Sequence, residues 1–332
     1  MKRTRNNYKK PRNPVHTKKE HYYTKDDIFF SRIASILRIP KNKVKDIFSQ
    51  RSITTIRLNS LKEKPERTKR ALEAKGYELE AIPWAKDVYF VLNRDKAEVS
   101  QTKNYQNGDF YIQNLSSILA TVVLDPKQGK TILDMCAAPG SKTTHIAQMI
   151  DNKGVVLAND TEIQRLNSLK NVIAQFGAKC AKPTLSDGAD FGKKYPNYFD
   201  QILLDAPCSG EGMIYFPGQK PLRFWNIKKI KKCSYIQRDL IESAFKALKP
   251  GGTMVYSTCT LEPEENEGIV SYLLDNYTNA KLLDIDIEVK AMKGIPKWSG
   301  NVYHRDIEKT MRILPSKEMM GFYIAKIYKS KE

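Results

Sequence analysis

From residue 130 to residue 259, β-strand and α-helix patterns alternate along the chain. Short aliphatic runs such as TILDMC and GVVLAND are each followed by a longer helical pattern, such as SKTTHIAQMI and IQRLNSLKNVIAQFG. The alternation continues through FDQILLDAP, SYIQRDLIESAFKALKPGG and TMVYSTC. This pattern predicts the α/β class with a parallel, doubly wound sheet, in which functional groups collect beyond the carboxyl ends of the strands.

The chain before this region mixes helices and strands. A helix can start after Thr24 and another at Pro65, and TTIRLN and VYFVLN have extended patterns. The mixture predicts a small α+β domain over residues 25–108, followed by the doubly wound domain over residues 109–330. The segment FYIQNLSSILATVVL, residues 110–124, is predicted to be helical, with Asn114 or Ser116 near the start of the helix.

The chain is strongly basic, with a formal net charge of +19 over 332 residues. Such a charge favours a polyanionic partner, RNA or DNA, over the alternative of a merely well-solvated surface. Residues 1–24 are predicted to form a disordered arm that either binds phosphates or is an inert tail. Against the single acid Glu20, the arm carries Lys2, Arg3, Arg5, Lys9, Lys10, Arg12, Lys18 and Lys19.

The cysteine pattern indicates the redox state of the cellular compartment. The chain has five cysteines and no C-x-x-C pair, which argues against a disulfide framework or a zinc ribbon and fits a reducing cytoplasm. The N-terminus lacks the apolar segment of a secretion signal, and no apolar stretch is long enough to span a bilayer. We therefore expect a cytoplasmic protein with no membrane partner and no metal site.

The first candidate site is the loop within LDMCAAPGSKTT, residues 133–144. A strand, a turn of small residues and a helix starting near Ser141 allow backbone N–H groups to approach a ligand. Gly140 is the only glycine, so the loop matches neither the dinucleotide nor the phosphate-binding glycine motif. An ordinary strand-to-helix turn is the alternative.

Two acids after later strands extend this site. Asp160, which closes GVVLAND, is placed to accept hydrogen bonds from ribose hydroxyls, although it could equally cap the next helix. Asp187, in TLSDGADF, could reach an adenine amino group, although Asp-Gly is also simply a turn.

Two thiols and a carboxylate follow the last two strands of the alternation. Asp205 and Cys208 lie in LLDAPCSGEGM, and Cys259 ends MVYSTC. Because both strands open into the same crevice, we expect these side chains to meet. Each cysteine alone favours a packing role, whereas their joint placement favours a reactive site.

Three motifs, DMCAAPGSKT, DAPCSGEGM and YSTCTLEPEENE, resemble those of the RNA (cytosine-5) methyltransferases of the RsmB/Nop/Sun (Fmu-type) family. The resemblance covers roughly residues 75–327. It implies a Rossmann-like domain that binds S-adenosylmethionine, preceded by a small RNA-binding domain. It also implies that Cys259 is the nucleophile and that Cys208 helps to release the product. The cofactor residues assigned on this basis, with Arg165 added from the helix after Asp160, are Cys136, Ala137, Ala138, Pro139, Gly140, Ser141, Lys142, Asp160, Arg165, Asp187 and Asp205.

The chemistry of cytosine methylation calls for these residue types. Carbon 5 of cytosine becomes nucleophilic once the Cys259 thiolate adds at carbon 6. Asp205 can hold the N3 and N4 edge of the base as charge develops, and Cys208 can remove the carbon 5 proton or assist its removal. Lys142 joins the catalytic set by lowering the thiol pKa or by orienting the base. Its alternative is a solvated helix residue.

The neighbouring residues carry further expectations. Glu262, Glu264 and Glu265 are expected to complement a helix N-terminus, and Asn266 to brace the loop. Near the C-terminus, the family usually shows a GGFF-like strand, whereas this chain has Met320 before a single glycine.

A basic stretch, KPLRFWNIKKIKKCSYIQR at 220–238, interleaves cations with aromatic residues and contains no acid. Phosphate contacts together with stacking on Phe224 and Trp225 would suit unpaired RNA. The alternative is a pair of core aromatics beneath a basic face.

Together these features predict an S-adenosylmethionine-dependent RNA cytosine-5 methyltransferase that works as a monomer. We expect tRNA rather than rRNA as the substrate, because a small self-contained enzyme suits a small folded RNA. One alternative is a DNA cytosine-5 methyltransferase, in which the Pro-Cys cysteine is the nucleophile. Another is a non-catalytic RNA-binding or assembly factor with the same fold.

Overall fold

The computed structural model describes residues 24–218 and 221–331. The predicted arm therefore lies outside the described residues, apart from Thr24. The Thr24 side chain accepts a hydrogen bond from the backbone of Asp27 and caps the first helix, as its sequence position predicts.

The N-terminal part of the chain contains short elements, as expected from its mixed patterns. Its helices and strands are α1 (Lys25–Leu37), α2 (Lys41–Ile47), β1 (Thr54–Leu58), α3 (Pro65–Glu73), β2 (Leu79–Ala81), β3 (Val88–Val91), α4 (Lys96–Ser100), α5 (Lys103–Gln106) and β4 (Phe110–Ile112). Strands β2, β3, β1 and β4 form an antiparallel sheet in that order.

The helix predicted within residues 110–124 has the expected start near Asn114, but the first residues of that segment form a strand. Phe110–Ile112 is strand β4, which pairs with β1 just past the predicted domain boundary at residue 108. The helix itself begins after Asn114, whose side chain accepts from the backbone of Ser116. Asn114 is a favourable N-cap, so the apolar run FYI is separated from the helix by a capping residue.

The longer C-terminal part alternates strands and helices as predicted. Its first elements are α6 (Leu115–Leu124), β5 (Thr131–Asp134), α7 (Ser141–Met149), β6 (Val155–Asp160), α8 (Ile163–Phe176), β7 (Ala181–Leu185), α9 (Phe191–Lys194) and β8 (Phe199–Asp205). They are followed by α10 (Ile227–Ala247), β9 (Leu248–Thr258), α11 (Glu267–Asn276), β10 (Ala280–Leu283), β11 (Ala291–Lys293), β12 (Lys297–Trp298), β13 (Asn301–Val302), β14 (Met311–Ile313) and β15 (Phe322–Lys329).

The central sheet has a parallel half and an antiparallel half. Strands β7, β6, β5, β8 and β9 are parallel neighbours in that order, which is the doubly wound arrangement. Strand β15 then pairs antiparallel with β9, and β14, β11 and β10 extend that side. The predicted parallel sheet is thus confirmed for five strands within a mixed sheet.

Alternating side chains of the parallel strands fill two cores. Leu133, Ile202 and Met254 pack with α10 and α11 on one face. Ile132, Leu203 and Val255, each a sequence neighbour of one of these, pack with α6 and α7 on the other. Helices on both faces leave the strand ends as the accessible edge. Within the described ranges, no helix has the length and apolar character needed to cross a membrane.

Candidate active site

The loop between β5 and α7, residues 135–140, is called the cofactor loop here. It ends at Gly140, whose φ of 114° is a conformation that side chains disfavour. A Cβ at this position would lie 2.9 Å from Leu169 Cδ1 and from Val172 Cγ1, both on α8. Glycine is therefore required for the loop to turn this close to the neighbouring helix.

Asp160 and Arg165 brace the cofactor loop at Ala138. Asp160 Oδ2 accepts from Ala138 N at 3.2 Å, and Oδ1 accepts from Glu162 N at 3.2 Å. Arg165 Nη2 lies 3.3 Å from Asp160 Oδ2 and donates to Ala138 O at 2.9 Å. The carboxylate thus holds both the loop and the start of α8. The structure places Asp160 and Arg165 together beside the predicted loop.

Asp134 and Asn159 lie beside the cofactor loop, although neither was singled out from the sequence. Asp134 is fully buried at the end of β5, and burial raises its pKa to about 7. Thr143 Oγ1 donates to one of its oxygens at 2.6 Å, and the other has no partner among the described residues. Asn159 Nδ2 donates to Met135 O at 3.1 Å. A polar residue closing each apolar strand was the available sequence signal.

Asp187 and Cys136 have local roles in the structure. Asp187 is exposed, and its carboxylate accepts from Ala189 N at 3.0 Å, the turn geometry that was its alternative interpretation. Cys136 is partly buried, and burial raises its pKa, so it is held as a thiol. Their contacts with a cofactor stay predictions.

Lys142 and Asp205 form an ion pair between the cofactor loop and the end of β8. Lys142 Nζ lies 2.6 Å from Asp205 Oδ2, and Ser257 Oγ donates to Asp205 Oδ1 at 2.8 Å. Burial alone would lower the pKa of Lys142, but the charge and hydrogen bond of Asp205 raise it above its ordinary value. Lys142 is buried and paired, so its alternative as a solvated helix residue is excluded.

The thiols of Cys208 and Cys259 face each other at the ends of β8 and β9. Their Sγ atoms are 3.0 Å apart. The hydrogen bond with Cys259, then burial, raises the pKa of Cys208 well above its ordinary value. Either thiol can be the donor in this contact. The structure brings together the two thiols that the sequence pattern placed in one crevice.

The segments that carry these thiols, residues 206–213 and 259–266, are called the cysteine loops here. Glu265 of the second loop accepts from Ser209 N of the first at 3.0 Å and also bonds Ser209 Oγ. Glu211 accepts from Ser209 Oγ and from Trp225 Nε1, each at 2.8 Å. Both glutamates are fully buried. Burial raises the pKa of Glu265 to about 7 and that of Glu211 well above its ordinary value.

The expectation that the glutamates complement a helix N-terminus is wrong for Glu262 and Glu265. Helix α11 begins later, at Glu267, and these two side chains are buried before it. Glu262 forms an ion pair with Arg32 of α1, which also contacts Glu264.

Two further contacts hold the second cysteine loop. Glu267 forms a two-point ion pair with Arg312, with both N–O distances at 2.5 Å. Asn266 braces the loop as expected, because its Oδ1 accepts from Thr258 Oγ1 at 2.6 Å.

The single glycine near the C-terminus is explained by a close backbone approach. A Cβ on Gly321 would lie 2.9 Å from Gly212 Cα, and a Cβ on Gly212 would lie 1.8 Å from Gly321 O. Gly212 N donates to Cys259 O at 2.9 Å. Gly321 N in turn donates to Gly212 O at 3.2 Å. Both cysteine loops are thereby fixed against the start of β15 with Met320 in place of a second glycine.

The adjacent aromatics of the basic stretch differ in environment. Trp225 is only 4% exposed and packs with Phe29 and Phe48 of the N-terminal helices, which matches the core alternative. Phe224 is 70% exposed. The stacking prediction is therefore wrong for Trp225 and stays open for Phe224.

Comparisons with known proteins agree with this architecture. A family model described as 16S rRNA methyltransferase RsmB/F matches residues 121–328, and one described as the N-terminal domain of 16S rRNA methyltransferase RsmF matches residues 8–115. The chain is 44% identical over 276 residues to the tRNA (cytosine(49)-C(5))-methyltransferase of Pyrococcus abyssi, covering 83% of this chain and 88% of that one.

Other relatives are longer than this chain. It is 41% identical over 230 residues to ribosomal RNA small subunit methyltransferase F of Pectobacterium carotovorum, covering 68% of this chain and 47% of that protein. The chain thus matches about half the length of such relatives.

Solved structures show the same fold. A methyltransferase homolog protein from Pyrococcus horikoshii superposes with a TM-score of 0.79 at 33% identity, over 91% of this chain and 95% of that one. NSun6 from the same organism, solved with SFG, superposes with a TM-score of 0.74 at 26% identity, over 92% and 97%. The chain therefore belongs to the RsmB/F methyltransferase family.

Proposed function

We propose that this chain transfers a methyl group from S-adenosylmethionine to carbon 5 of cytosine in RNA, through a covalent adduct on Cys259. The observation that carries the proposal is the pair of facing thiols, Cys208 and Cys259, 3.0 Å apart beside the Lys142–Asp205 ion pair. Few reactions other than addition to a pyrimidine ring need two thiols and a carboxylate at one nucleoside site.

The residues at the strand ends suit S-adenosylmethionine. The cofactor loop has small side chains at Ala137, Ala138 and Gly140, and Asp160 offers a buried carboxylate to hydroxyl groups. We assign these residues, with Arg165 and Asp187, to holding the nucleoside. When bound, the cofactor supplies an electrophilic methyl group on a sulfonium sulfur.

Cys259 is the nucleophile in this proposal. We assign Cys208 as the donor in the thiol–thiol contact, so that its hydrogen bond stabilises a thiolate on Cys259. The buried ammonium group of Lys142 adds positive charge nearby. Addition of this thiolate forms the sulfur–carbon 6 bond of the cytosine and moves electron density to carbon 5, which can then accept the methyl group.

Asp205 and Lys142 orient and polarise the base. The Asp205 carboxylate is fixed by Lys142 and Ser257 and has lone pairs left to accept from the N4 amino group of cytosine. The Lys142 ammonium stabilises the negative charge that develops on the ring after thiolate addition.

Product release requires loss of the carbon 5 proton and cleavage of the sulfur–carbon 6 bond. Once Cys259 is bonded to the base, its sulfur is no longer a thiolate that accepts a hydrogen bond from Cys208. The chief cause of the raised Cys208 pKa then disappears, because that cause is the contact with Cys259. Cys208 can then release its own proton to water. The resulting Cys208 thiolate takes the carbon 5 proton as the carbon 5–carbon 6 double bond re-forms, and Cys259 leaves with the electrons of the sulfur–carbon 6 bond.

The target RNA and the setting are further parts of the proposal. We favour tRNA, because the tRNA methyltransferase relative matches over most of its own length, whereas the rRNA relative matches over about half. All five cysteines are free, in keeping with a cytoplasmic location. The monomeric state stays a prediction. The domain boundaries at residues 24 and 108, and RNA binding by residues 25–108, stay predictions.

The decisive experiment is a denaturing gel with labelled small RNA from cells that lack this chain. With S-adenosylmethionine present, Cys208→Ala should accumulate a protein–RNA species that survives denaturation, because the methylated base stays bonded to Cys259. Cys259→Ala should give neither methylation nor such a species. Cys233→Ala, which removes a partly buried thiol of α10, is the matched control and should turn over normally.

Other results would contradict specific parts of the proposal. A trapped species with Cys259→Ala but not with Cys208→Ala would assign the nucleophile as in the DNA enzymes. Bisulfite sequencing of total RNA, with and without the gene, tests the target. New 5-methylcytosine confined to rRNA would overturn the preference for tRNA, and none in any RNA would exclude the activity.

A further inference from the structure

An exposed aromatic ring lies beside the first cysteine loop. Phe224 precedes helix α10 and is 70% exposed, and the Arg223 guanidinium lies 5.0 Å from its ring centroid. The next residue, Trp225, is buried and donates its indole N–H to Glu211 Oε1 at 2.8 Å. Glu211 lies three residues after Cys208, in the first cysteine loop. Trp225 therefore joins the segment that carries Phe224 to this loop.

Several contacts show that the exposure of Phe224 is a property of an ordered segment. Leu222 and Trp225, on either side, are buried in the cluster formed with α1 and α2. Lys25 Nζ donates to Arg223 O at 3.2 Å, and Lys229 Nζ donates to Ser209 O at 2.8 Å. The ring is therefore held in solvent by its neighbours and keeps a fixed position relative to the first cysteine loop.

The charged residues that follow or adjoin Phe224 in the sequence, up to Lys232, are all cationic. Arg223, Lys228, Lys231 and Lys232 are all exposed. None of them forms an ion pair with any residue that the structure describes. Unpaired cations next to an exposed aromatic ring match a polyanion that also carries flat rings, which is the chemistry of unpaired nucleotides.

We propose that Phe224, with Arg223, is a stacking platform for an unpaired nucleobase adjoining the target cytosine. The lysines at the start of α10 bind the flanking phosphates, and the ring and guanidinium supply the flat surface for the base. The inference rests on the proposed RNA methylation and deepens it, because it assigns a substrate contact outside the cysteine pair. Stacking next to the target would hold the cytosine strand in register with Cys259.

The test is RNA affinity as a function of salt, with small RNA from cells that lack this chain as the probe. Phe224→Ala should weaken binding by about 5- to 150-fold, the range for loss of one stacked base. The slope of log affinity against log salt should stay unchanged, because no charge is removed. Phe224→Tyr should retain most of the affinity. Lys232→Ala should instead reduce the salt slope by about one unit.

Tyr198→Ala is the matched control, since Tyr198 is 51% exposed and precedes β8 at the edge opposite the thiols. It should bind as the wild type does. Equal thermal unfolding midpoints would show that Phe224→Ala keeps the fold. Unchanged affinity for Phe224→Ala would overturn the platform, as would a loss accompanied by a reduced salt slope. A failure of the proposed methylation can be distinguished from a failure of the stacking platform, because the wild-type protein would then bind RNA without modifying it.

Discussion

The cofactor loop and the cysteine loops lie at the same edge of the sheet but are held in different ways. The cofactor loop is fixed chiefly through backbone groups, with Asp160 and Arg165 bonded to the N–H and carbonyl of Ala138. The cysteine loops are fixed by buried side chains, namely Glu211, Glu262, Glu265 and Glu267. A loop of small residues offers little else to bond, whereas loops that present reactive thiols must be rigid through their side chains.

The four glutamates of the second region divide into two kinds. Glu262 and Glu267 have arginine partners, Arg32 and Arg312. Glu211 and Glu265 have only neutral donors, and burial raises the pKa of both. Burial also raises the pKa of Glu262, against the opposing effect of Arg32. An ionised Glu265 would oppose formation of a thiolate beside it, because its charge raises the pKa of Cys208. The protonated form of Glu265 thus supports the loop without adding a negative charge beside Cys208.

The largest effect should come from breaking a paired glutamate. Arg312→Met leaves Glu267 buried without a cationic partner, with only Ile295 N still donating to it. We expect a loss of about 3–5 kcal/mol in the free energy of unfolding. Urea denaturation measures this loss. The double variant Arg312→Met/Glu267→Met should recover most of it, because no unpaired charge remains.

Arg32→Met is the comparison variant. The Arg32 side chain is 20% exposed, against 1% for Arg312, so the loss should be smaller. If the double variant is as unstable as Arg312→Met, the effect comes from lost packing over Tyr323, and the ion pair is not what stabilises this loop.

A buried glutamate without a cationic partner should instead change how the stability of the protein depends on pH. The pKa of Glu265 is raised from 4.5 to about 7, so between these values the folded state binds a proton that the unfolded state lacks. The stability contributed by this group is present below about pH 4.5 and is lost as the pH rises to about 7, by about 3 kcal/mol.

Glu265→Gln mimics the protonated side chain and should remove this decline. Urea denaturation of both proteins at several pH values between about 5 and 8 measures the difference in free energy. Asp134, whose pKa is also about 7, contributes the same sign in both proteins and cancels in the comparison. Equal pH slopes for the two proteins would show that Glu265 is ionised throughout.

The sequence predicted the elements whose signals are local. The parallel strands and their helices follow from apolar runs and helical periodicity, and the predicted family is confirmed by the comparisons. Strand β4 was missed because its partner, β1, lies more than fifty residues earlier in the chain. A pairing of that range leaves no trace in the pattern of FYI itself.

The site residues also divide into those that the sequence pattern could place and those that only long-range packing places. Asp205, Cys208 and Cys259 meet because adjacent parallel strands end at one edge, which the alternation of elements already implied. The burial of Glu262 and its pairing with Arg32, 230 positions away, could not be predicted, because acids before a helix are usually solvated. Phe224 and Trp225 are equivalent in sequence pattern, and only tertiary packing separates them.

The smallest of the three effects concerns the cofactor loop. Asp160→Ala removes the acceptor for Ala138 N and the carboxylate assigned to the cofactor's ribose, while Gly140 and α7 remain in place. Loss of a hydrogen bond to a charged group costs about 1.5–3 kcal/mol, so S-adenosylmethionine should bind about 10- to 150-fold more weakly in titration calorimetry.

Asp151→Ala, which removes an exposed acid paired with Lys153, should leave binding unchanged. The contacts of Asp160 are with Ala138, Glu162 and Arg165, none of which belongs to the cysteine loops. The Cys208–Cys259 contact should therefore persist, and added S-adenosylmethionine at high concentration should restore methylation. Wild-type affinity in Asp160→Ala would show that the loop is held by its backbone alone and that this acid is only a brace for α8.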